Sequence, residues 1–336
     1  MLAGLVERDT SARGLRAFNP LLDLRPTTEL IELAFGEALD PLSRETLQEM
    51  RALAWLLGPL FWLLSAIRSP LADTYSGYVW VEESRIVGNV TVHRRHGEKQ
   101  GWFISNVAVH PDHRHKGIAR HLVTAGLEMA RQRGAQRISL EVRANNVTAR
   151  KLYEDLGFRE VDSASRMRMY PLASARPVRS EGYTIEMVRP DQWPRLLQLT
   201  KDTLSPEARE IMPGEEEIYR RSGPRRLVSG VGELLNGRTT YRLAAEKRGE
   251  IAGVITVRTG GLLRPHVLNL MVHPAHRCQV EEMLLTSALS ALKTDRSRDL
   301  VAKIHPSYDH ARRVFTQYGF AEEETLKLLT LSLKDE

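Results

Sequence analysis

The chain repeats itself. The run Asn106-Val-Ala-Val-His-Pro-Asp-His-Arg114 returns 163 residues later as Asn269-Leu-Met-Val-His-Pro-Ala-His-Arg277. A second pair, Ala149-Arg-Lys-Leu-Tyr-Glu-Asp-Leu-Gly-Phe158 and Ala311-Arg-Arg-Val-Phe-Thr-Gln-Tyr-Gly-Phe320, is offset by 162 residues. Two motifs held at nearly one offset mark an internal duplication, so the fold must be one that a chain can build twice in tandem. The 336 residues allow each copy about 150–170, enough to bury its own core.

Hydrophobic periodicity supplies the elements of each copy. In the first, Gly14–Pro20 reads as a strand, and Thr27 or Thr28 caps a helix through Glu37 whose apolar face is Leu30, Ile31, Leu33, Ala34 and Phe35. A second helix is expected over Ser43–Leu57, interrupted at Gly58-Pro59. Strands Gly77–Val81 and Ile86–Val92 flank a turn, and a polar loop leads to strand Trp102–Val109. Helix Arg120–Arg131, strand Arg137–Val142, helix Val147–Leu156 capped by Asn145 or Asn146, and strand Ser165–Pro171 follow. This order predicts an α/β fold, a mixed sheet with helices on both faces. Residues 173–181 lack any hydrophobic period and read as a linker between copies at 13–172 and 182–333. The second copy retraces the first with strands Tyr183–Val188, Tyr241–Glu246, Ile251–Val257 and Val267–Val272, and helices Gln192–Leu204 and Glu281–Leu292.

Composition narrows the function classes. The net charge of +6 is spread along the chain, with no basic block interleaved with aromatics, which argues against a nucleic-acid partner. A single cysteine, Cys278, excludes an internal disulfide framework and suits a cytoplasmic, reducing setting. The longest apolar stretch, Leu53–Ile67, falls short of the roughly 20 residues that span a bilayer and is broken by Gly58-Pro59. No transmembrane segment is expected. The stretch has three readings: a helix pair packed on the sheet or on the partner of a homodimer, a lid over an apolar substrate channel, or a membrane-surface contact.

The chemistry concentrates where the first motif turns into a helix. In Arg114-His-Lys-Gly117-Ile-Ala119 a strand runs into a glycine turn at a helix start, where crowded backbone N–H groups suit a pyrophosphate. Gly117 allows close backbone approach, Ala119 leaves room, and His113, Arg114, His115 and Lys116 add charge. An ordinary strand–helix turn needs the same glycine, so this run alone does not decide. The second cluster, Asn146, Ala149, Tyr153, Gly157 and Phe158, places Asn146, Ala149 and Tyr153 on one helix face. Three histidines, His110, His113 and His115, fall in the turn itself, where a phosphate reading fits better than a metal, and no metal is expected.

Together the two clusters resemble the GNAT superfamily of acyl-CoA-dependent N-acyltransferases, complete in the first copy and degenerate in the second. The resemblance implies two tandem GNAT domains, acetyl-CoA as acyl donor, and a primary amine as acceptor, on a small molecule or a peptide or protein N-terminus. It implies that backbone groups of Val107, Ala108 and Val109 pair with the pantetheine arm in a splayed gap between two parallel strands. Amides of Arg114, His115, Lys116, Gly117, Ile118, Ala119 and Arg120 hold the pyrophosphate, Asn146 bonds the pantetheine side, and Tyr153 serves as general acid at the sulfur. Glu141, in Leu-Glu-Val-Arg, resembles the base of N-terminal-amine acetyltransferases of ribosomal proteins, with Glu82, His93 or a water chain as alternatives and a solvated or paired glutamate as the plain reading. In the second copy Val280, Glu282, Tyr308 and Phe315 stand at the places of Gly117, Ala119, Asn146 and Tyr153, which implies a catalytically silent domain. The alternative for the whole chain is a non-catalytic acyl-CoA-binding regulatory or interaction protein. The acceptor pocket is expected from Ser43–Ser76 and Thr203–Leu235.

Overall fold

The structure is a computed structural model, and it describes residues 13–35, 76–94, 101–170, 175–203, 239–260, 265–292 and 298–333. The expected second helix, the apolar stretch Leu53–Ile67 and the two acceptor loops lie outside the described residues.

The first half opens with strand β1 (Gly14–Ala17) and helix α1 (Pro20–Phe35). The helix begins well before the expected Thr27 or Thr28 cap. Asn19-Pro20 is the start: proline fits the first helical position because its missing N–H would have no partner there. The Asn19 N–H in turn donates to Asp23 Oδ2 at 2.7 Å. Asp23 also takes both guanidinium nitrogens of Arg16, at 2.6 and 2.8 Å, which ties strand to helix. Pro26 lies inside the helix, and Thr28 turns its hydroxyl back to the Arg25 carbonyl.

Strands β2 (Ser76–Glu82), β3 (Arg85–Arg94) and β4 (Gly101–Val109) form an antiparallel meander, and β4 runs parallel to β5 (Arg137–Arg143). The β2–β3 turn has Glu83 and Ser84 both at positive φ, the two-residue geometry that matches strand twist. Helix α2 (Ile118–Gln132) lies close on one face of this sheet. A Cβ on Gly88 would come within 2.8 Å of Ile118 and 2.9 Å of Leu122, so the glycine sets how near the helix approaches. On the other face Leu30 and Ile31 of α1 pack with Ala108. Helix α3 (Val147–Asp155) follows β5.

Strand β6 (Arg159–Met169) is longer than the expected Ser165–Pro171. The second half gives β7 (Thr184–Met187), α4 (Trp193–Thr203), β8 (Thr240–Lys247), β9 (Glu250–Arg258), β10 (His266–Val272), α5 (Glu281–Ala291), β11 (Leu300–Ile304), α6 (Asp309–Gln317) and β12 (Ala321–Ser332). Its β7-β8-β9-β10 strands are antiparallel and β10–β11 parallel, the same pattern as the first half.

The chain divides into two compact units: Met1–Glu141 with Lys151–Arg159 and Thr330–Glu336, and Val142–Arg150 with Glu160–Leu329. These units do not coincide with the repeats as the sequence orders them. Strand β6 ends the first repeat, yet within the second unit it pairs antiparallel with β11, Met169 opposite Leu300. The end of β12 closes the second repeat, yet within the first unit the Leu333 N–H donates to Gln136 O at 2.8 Å and the Thr330 hydroxyl to Ile138 O.

Replacing Gly88 by alanine forces a methyl into the α2–sheet contact. Unfolding free energy should fall by about 1–3 kcal/mol, the usual cost of overpacking, read from urea denaturation.

Candidate functional site

Two interruptions in regular pairing shape the end of β4. The parallel ladder with β5 runs over four pairs, from Gly101↔Arg137 to Ile104↔Leu140. On the other edge, Thr91 faces Ser105 and Asn89 faces Ala108, so Asn106 and Val107 together oppose Val90. That two-against-one count is a β-bulge. Asn106 stands at φ +52°, a left-handed conformation that asparagine tolerates better than most residues. Its carbonyl accepts a hydrogen bond from Asn89 Nδ2 at 2.9 Å, and Asn89 is 1% exposed.

Beyond β4, His110 caps a short 3-10 turn by accepting the Asp112 N–H. His115 and Gly117 take positive φ, +62° and +78°, before α2 begins at Ile118. A Cβ on Gly117 would meet nothing nearer than 3.7 Å. Its left-handed backbone, more than space, calls for glycine. The first-turn amides of Ile118, Ala119 and Arg120 have no intrahelical partner, and Gly117 offers no side-chain cap. Backbone N–H groups are thereby gathered at a positive helix end, an arrangement suited to a phosphate.

The side chains around this turn are divided in their roles. Arg114 donates to the Ala34 carbonyl in the last turn of α1, and Arg120 pairs with Asp155 at 2.8 Å. Both guanidinium groups therefore brace the turn, while His115 and Lys116 are exposed. His113 pairs with Glu82 at 3.1 Å. Glu82 also accepts the Trp80 indole N–H at 3.3 Å, and that bond, with His113 and Lys116 nearby, holds its carboxyl below the ordinary range. Such a carboxylate is a weak base. His93 stacks against Phe103 with ring centres 5.7 Å apart.

Glu141 is exposed on β5, one residue past the last β4–β5 pair, and so stands where the two strands part. Asn146 caps α3: its Oδ1 accepts the Ala149 N–H at 3.1 Å, which leaves its amide nitrogen as the outward donor. Tyr153, two turns along that helix, is 6% exposed and stands edge-on to Phe158. Burial pushes its phenol up to about 12. Desolvation alone accounts for that rise, and among the described residues no group of three or more His, Cys, Asp or Glu could hold a metal. No described helix is long and apolar enough to cross a membrane.

The second copy keeps the turn and fills it. His273 caps its own 3-10 turn as His110 does, and Cys278 takes φ +67° where His115 has +62°. Val280, in place of Gly117, adopts φ −122°. The buried carboxylate of Glu281 folds back and accepts the Cys278 N–H at 2.8 Å, the Val280 N–H at 3.1 Å and the Tyr308 hydroxyl, with His310 at 3.8 Å. The sequence had pointed to Glu282 as the carboxylate facing the turn. Glu282 instead accepts from Tyr318 at 2.8 Å, because a first-turn side chain leans toward the helix start and Glu281 is the nearer one. Strand β10 pairs with β9 in unbroken register from Val267↔Arg258 to Val272↔Gly253, so this copy has no bulge there. Phe315, in Tyr153's place, is fully buried against Phe320.

Asn89 escaped the sequence reading. The signal was there: one amide inside the apolar run Ile86-Val-Gly-Asn-Val-Thr-Val92.

The family model for GNAT acetyltransferases matches residues 40–158. Over 71 residues, 21% of this chain and 47% of the relative, the sequence is 39% identical to a ribosomal protein bS18-alanine N-acetyltransferase of Escherichia coli (strain K12). The chain thus spans about half that relative's length. It is 33% identical over 110 residues to N-alpha-acetyltransferase 30 of Schizosaccharomyces pombe, 27% of this chain and 72% of the relative. Among solved structures, a tandem GNAT protein from the clavulanic acid biosynthesis pathway is similar over 96% of this chain and 99% of its own, with TM-score 0.58 and 18% identity, a likeness of fold.

Glu281→Leu strands two amides and a tyrosine hydroxyl, and should cost about 2–4 kcal/mol in urea unfolding. Tyr153 holds its proton more tightly folded than unfolded. Its contribution is therefore complete below its unfolded value near 10 and is lost as pH rises toward about 12. Tyr153→Phe should lose less stability than the natural chain between about pH 9 and 11.5, by roughly 2 kcal/mol.

Proposed function

The chain belongs to the GNAT family of acetyltransferases, and from that premise we propose that it transfers an acetyl group from acetyl-CoA to a primary amine by direct attack, with the chemistry in the first repeat, residues 13–172. The observation that carries the reading is the bulged end of β4 beside a β5 that has ceased to pair. In a trans peptide the C=O and N–H point opposite ways. The Asn106 carbonyl is held toward β3 by Asn89, so the Val107 N–H is aimed at the side where β5 has parted. A donor so placed suits the carbonyl of a thioester, and the backbone of Val107, Ala108 and Val109 suits the amide-bearing pantetheine arm. The amides from Arg114 to Arg120 suit the pyrophosphate. Acetyl-CoA supplies the activated acyl group when bound.

Glu141 would take the proton that an attacking ammonium must lose, directly or through water. As the C–N bond forms and the C–S bond breaks, negative charge gathers on the leaving sulfur. Tyr153 meets it as a neutral phenol. With its value near 12, well above an ordinary thiol near 8.5, it would stabilise the leaving thiolate as a hydrogen-bond donor, while the proton that nitrogen sheds on becoming an amide balances the one that completes the free thiol. Asn146 presents its amide nitrogen to the arm. The two relatives, one acting on a ribosomal protein alanine and one an N-alpha-acetyltransferase, favour a peptide or protein N-terminus over a small-molecule amine as acceptor. The second repeat is read as silent, since Glu281 occupies the amides a phosphate would need and Phe315 has no proton to donate.

Release of free thiol from acetyl-CoA, screened against N-terminal peptides and small amines, tests the reading. Tyr153→Phe should lower kcat by about 10²–10³-fold with acetyl-CoA affinity held within about threefold. An unchanged kcat would remove Tyr153 from the chemistry, whereas acetyl-CoA binding with no turnover of any amine would support a non-catalytic acyl-CoA-binding role instead. Calorimetry should find one acetyl-CoA per chain, and two would refute the silent second repeat.

A further inference from the structure

We infer that Asn89 is a positioning residue: its buried amide fixes the Asn106–Val107 peptide so that the Val107 N–H faces the reacting thioester. The inference rests on the function proposed above and adds to it a residue on β3 that lies outside both sequence motifs. A polar side chain 1% exposed inside an apolar strand is retained at a cost unless it is hydrogen-bonded. Asn89 meets that condition through the Asn106 carbonyl, 2.9 Å from its Nδ2. The bulge takes that carbonyl out of the ladder, and a part-buried carbonyl without a donor is itself costly. The side chain and the bulge thus satisfy each other.

The duplication provides an internal control. Asn269 stands 163 residues after Asn106, so the strand that bulges keeps its asparagine in both copies. The difference lies across the ladder. Asn89 faces Ala108, and the residue facing Met271, Ala108's counterpart, is Val254, which is buried and has no donor. There the strand runs straight through, with Leu270 opposite Ile255 and Met271 opposite Val254. The same asparagine bulges where its neighbour strand offers an amide and stays regular where it offers a valine. Thr91 adds a second hold on the bulge, accepting from Asn106 Nδ2 at 3.4 Å.

The experiment replaces Asn89 by valine, the residue of the second copy, and by glutamine, which keeps the amide one methylene further out. Three readouts separate positioning from general damage: kcat, affinity for CoA itself, and hydrogen exchange at the Val107 N–H by NMR. In Asn89→Val, kcat should fall about 10–100-fold, the scale of losing one oriented donor, while CoA binding by the Arg114–Arg120 turn stays within about threefold. Val107 exchange should slow as its N–H joins a regular ladder. Asn89→Gln should recover part of the rate. Unchanged kcat and unchanged exchange in a folded Asn89→Val protein would overturn the inference, as would equal losses of kcat and CoA affinity. Should the valine protein not be recovered folded, Asn89→Ser, too short to span the 2.9 Å bond, takes its place with the same expected results. If the natural chain turns over no amine, the proposed function fails, yet the exchange readout still decides whether Asn89 sets the peptide.

Discussion

A helix cannot satisfy its own first amides, and both halves of this chain are built around that shortfall. Each half drives a strand into a short turn, caps the turn with a histidine, passes through a left-handed residue and starts a helix. What differs is the partner supplied to the exposed N–H groups. In the first half no described residue takes those beside Gly117, with Arg114 and Arg120 drawn off to brace neighbouring helices. In the second, the Glu281 carboxylate takes two N–H groups of the turn, those of Cys278 and Val280, and the Tyr308 hydroxyl donates to it as well. An internal anion does there what an external one could do in the first half.

The second constraint acts on the strand that leads into the turn. A central strand normally spends its polar backbone on both neighbours. β4 is released on one edge after Ile104 and kinked on the other at Asn106, so a short length of backbone is left to face outward. Glu141 stands where the strands part, and the exposed carboxylate is in keeping with a role on an incoming amine. Tyr153 has the opposite surroundings, and burial pushes its phenol from near 10 up to about 12.

Much of this was legible in the residues. The duplication, the strand–turn–helix and the element types follow from spacing and hydrophobic period, and most boundaries held within two residues. The misses share a cause. The expected start of helix α1 at Thr27 or Thr28 is late because a threonine is a common cap, while Asn19-Pro20 carries the true start and Pro26 is tolerated inside the helix. Glu282 was favoured over Glu281 because motif alignment ignores the backward lean of helical side chains. The bulge was invisible because Asn106 and Asn269 are identical, and their fates are decided by Asn89 and Val254 on another strand. Pattern along the chain reveals elements; it does not say which residue will lie across from which.

The placement of the last strands bears on how the protein comes into being. The first compact unit holds Thr330–Glu336 among its members, and Leu333 secures it to Gln136. Those residues follow β5 by nearly two hundred positions, so one side of β5 stays unprovided for until they have been made. Strand β6 waits likewise for β11. A cut between the repeats would therefore leave β5 without the end of β12 and β11 without β6, so neither repeat is a free-standing piece of chain.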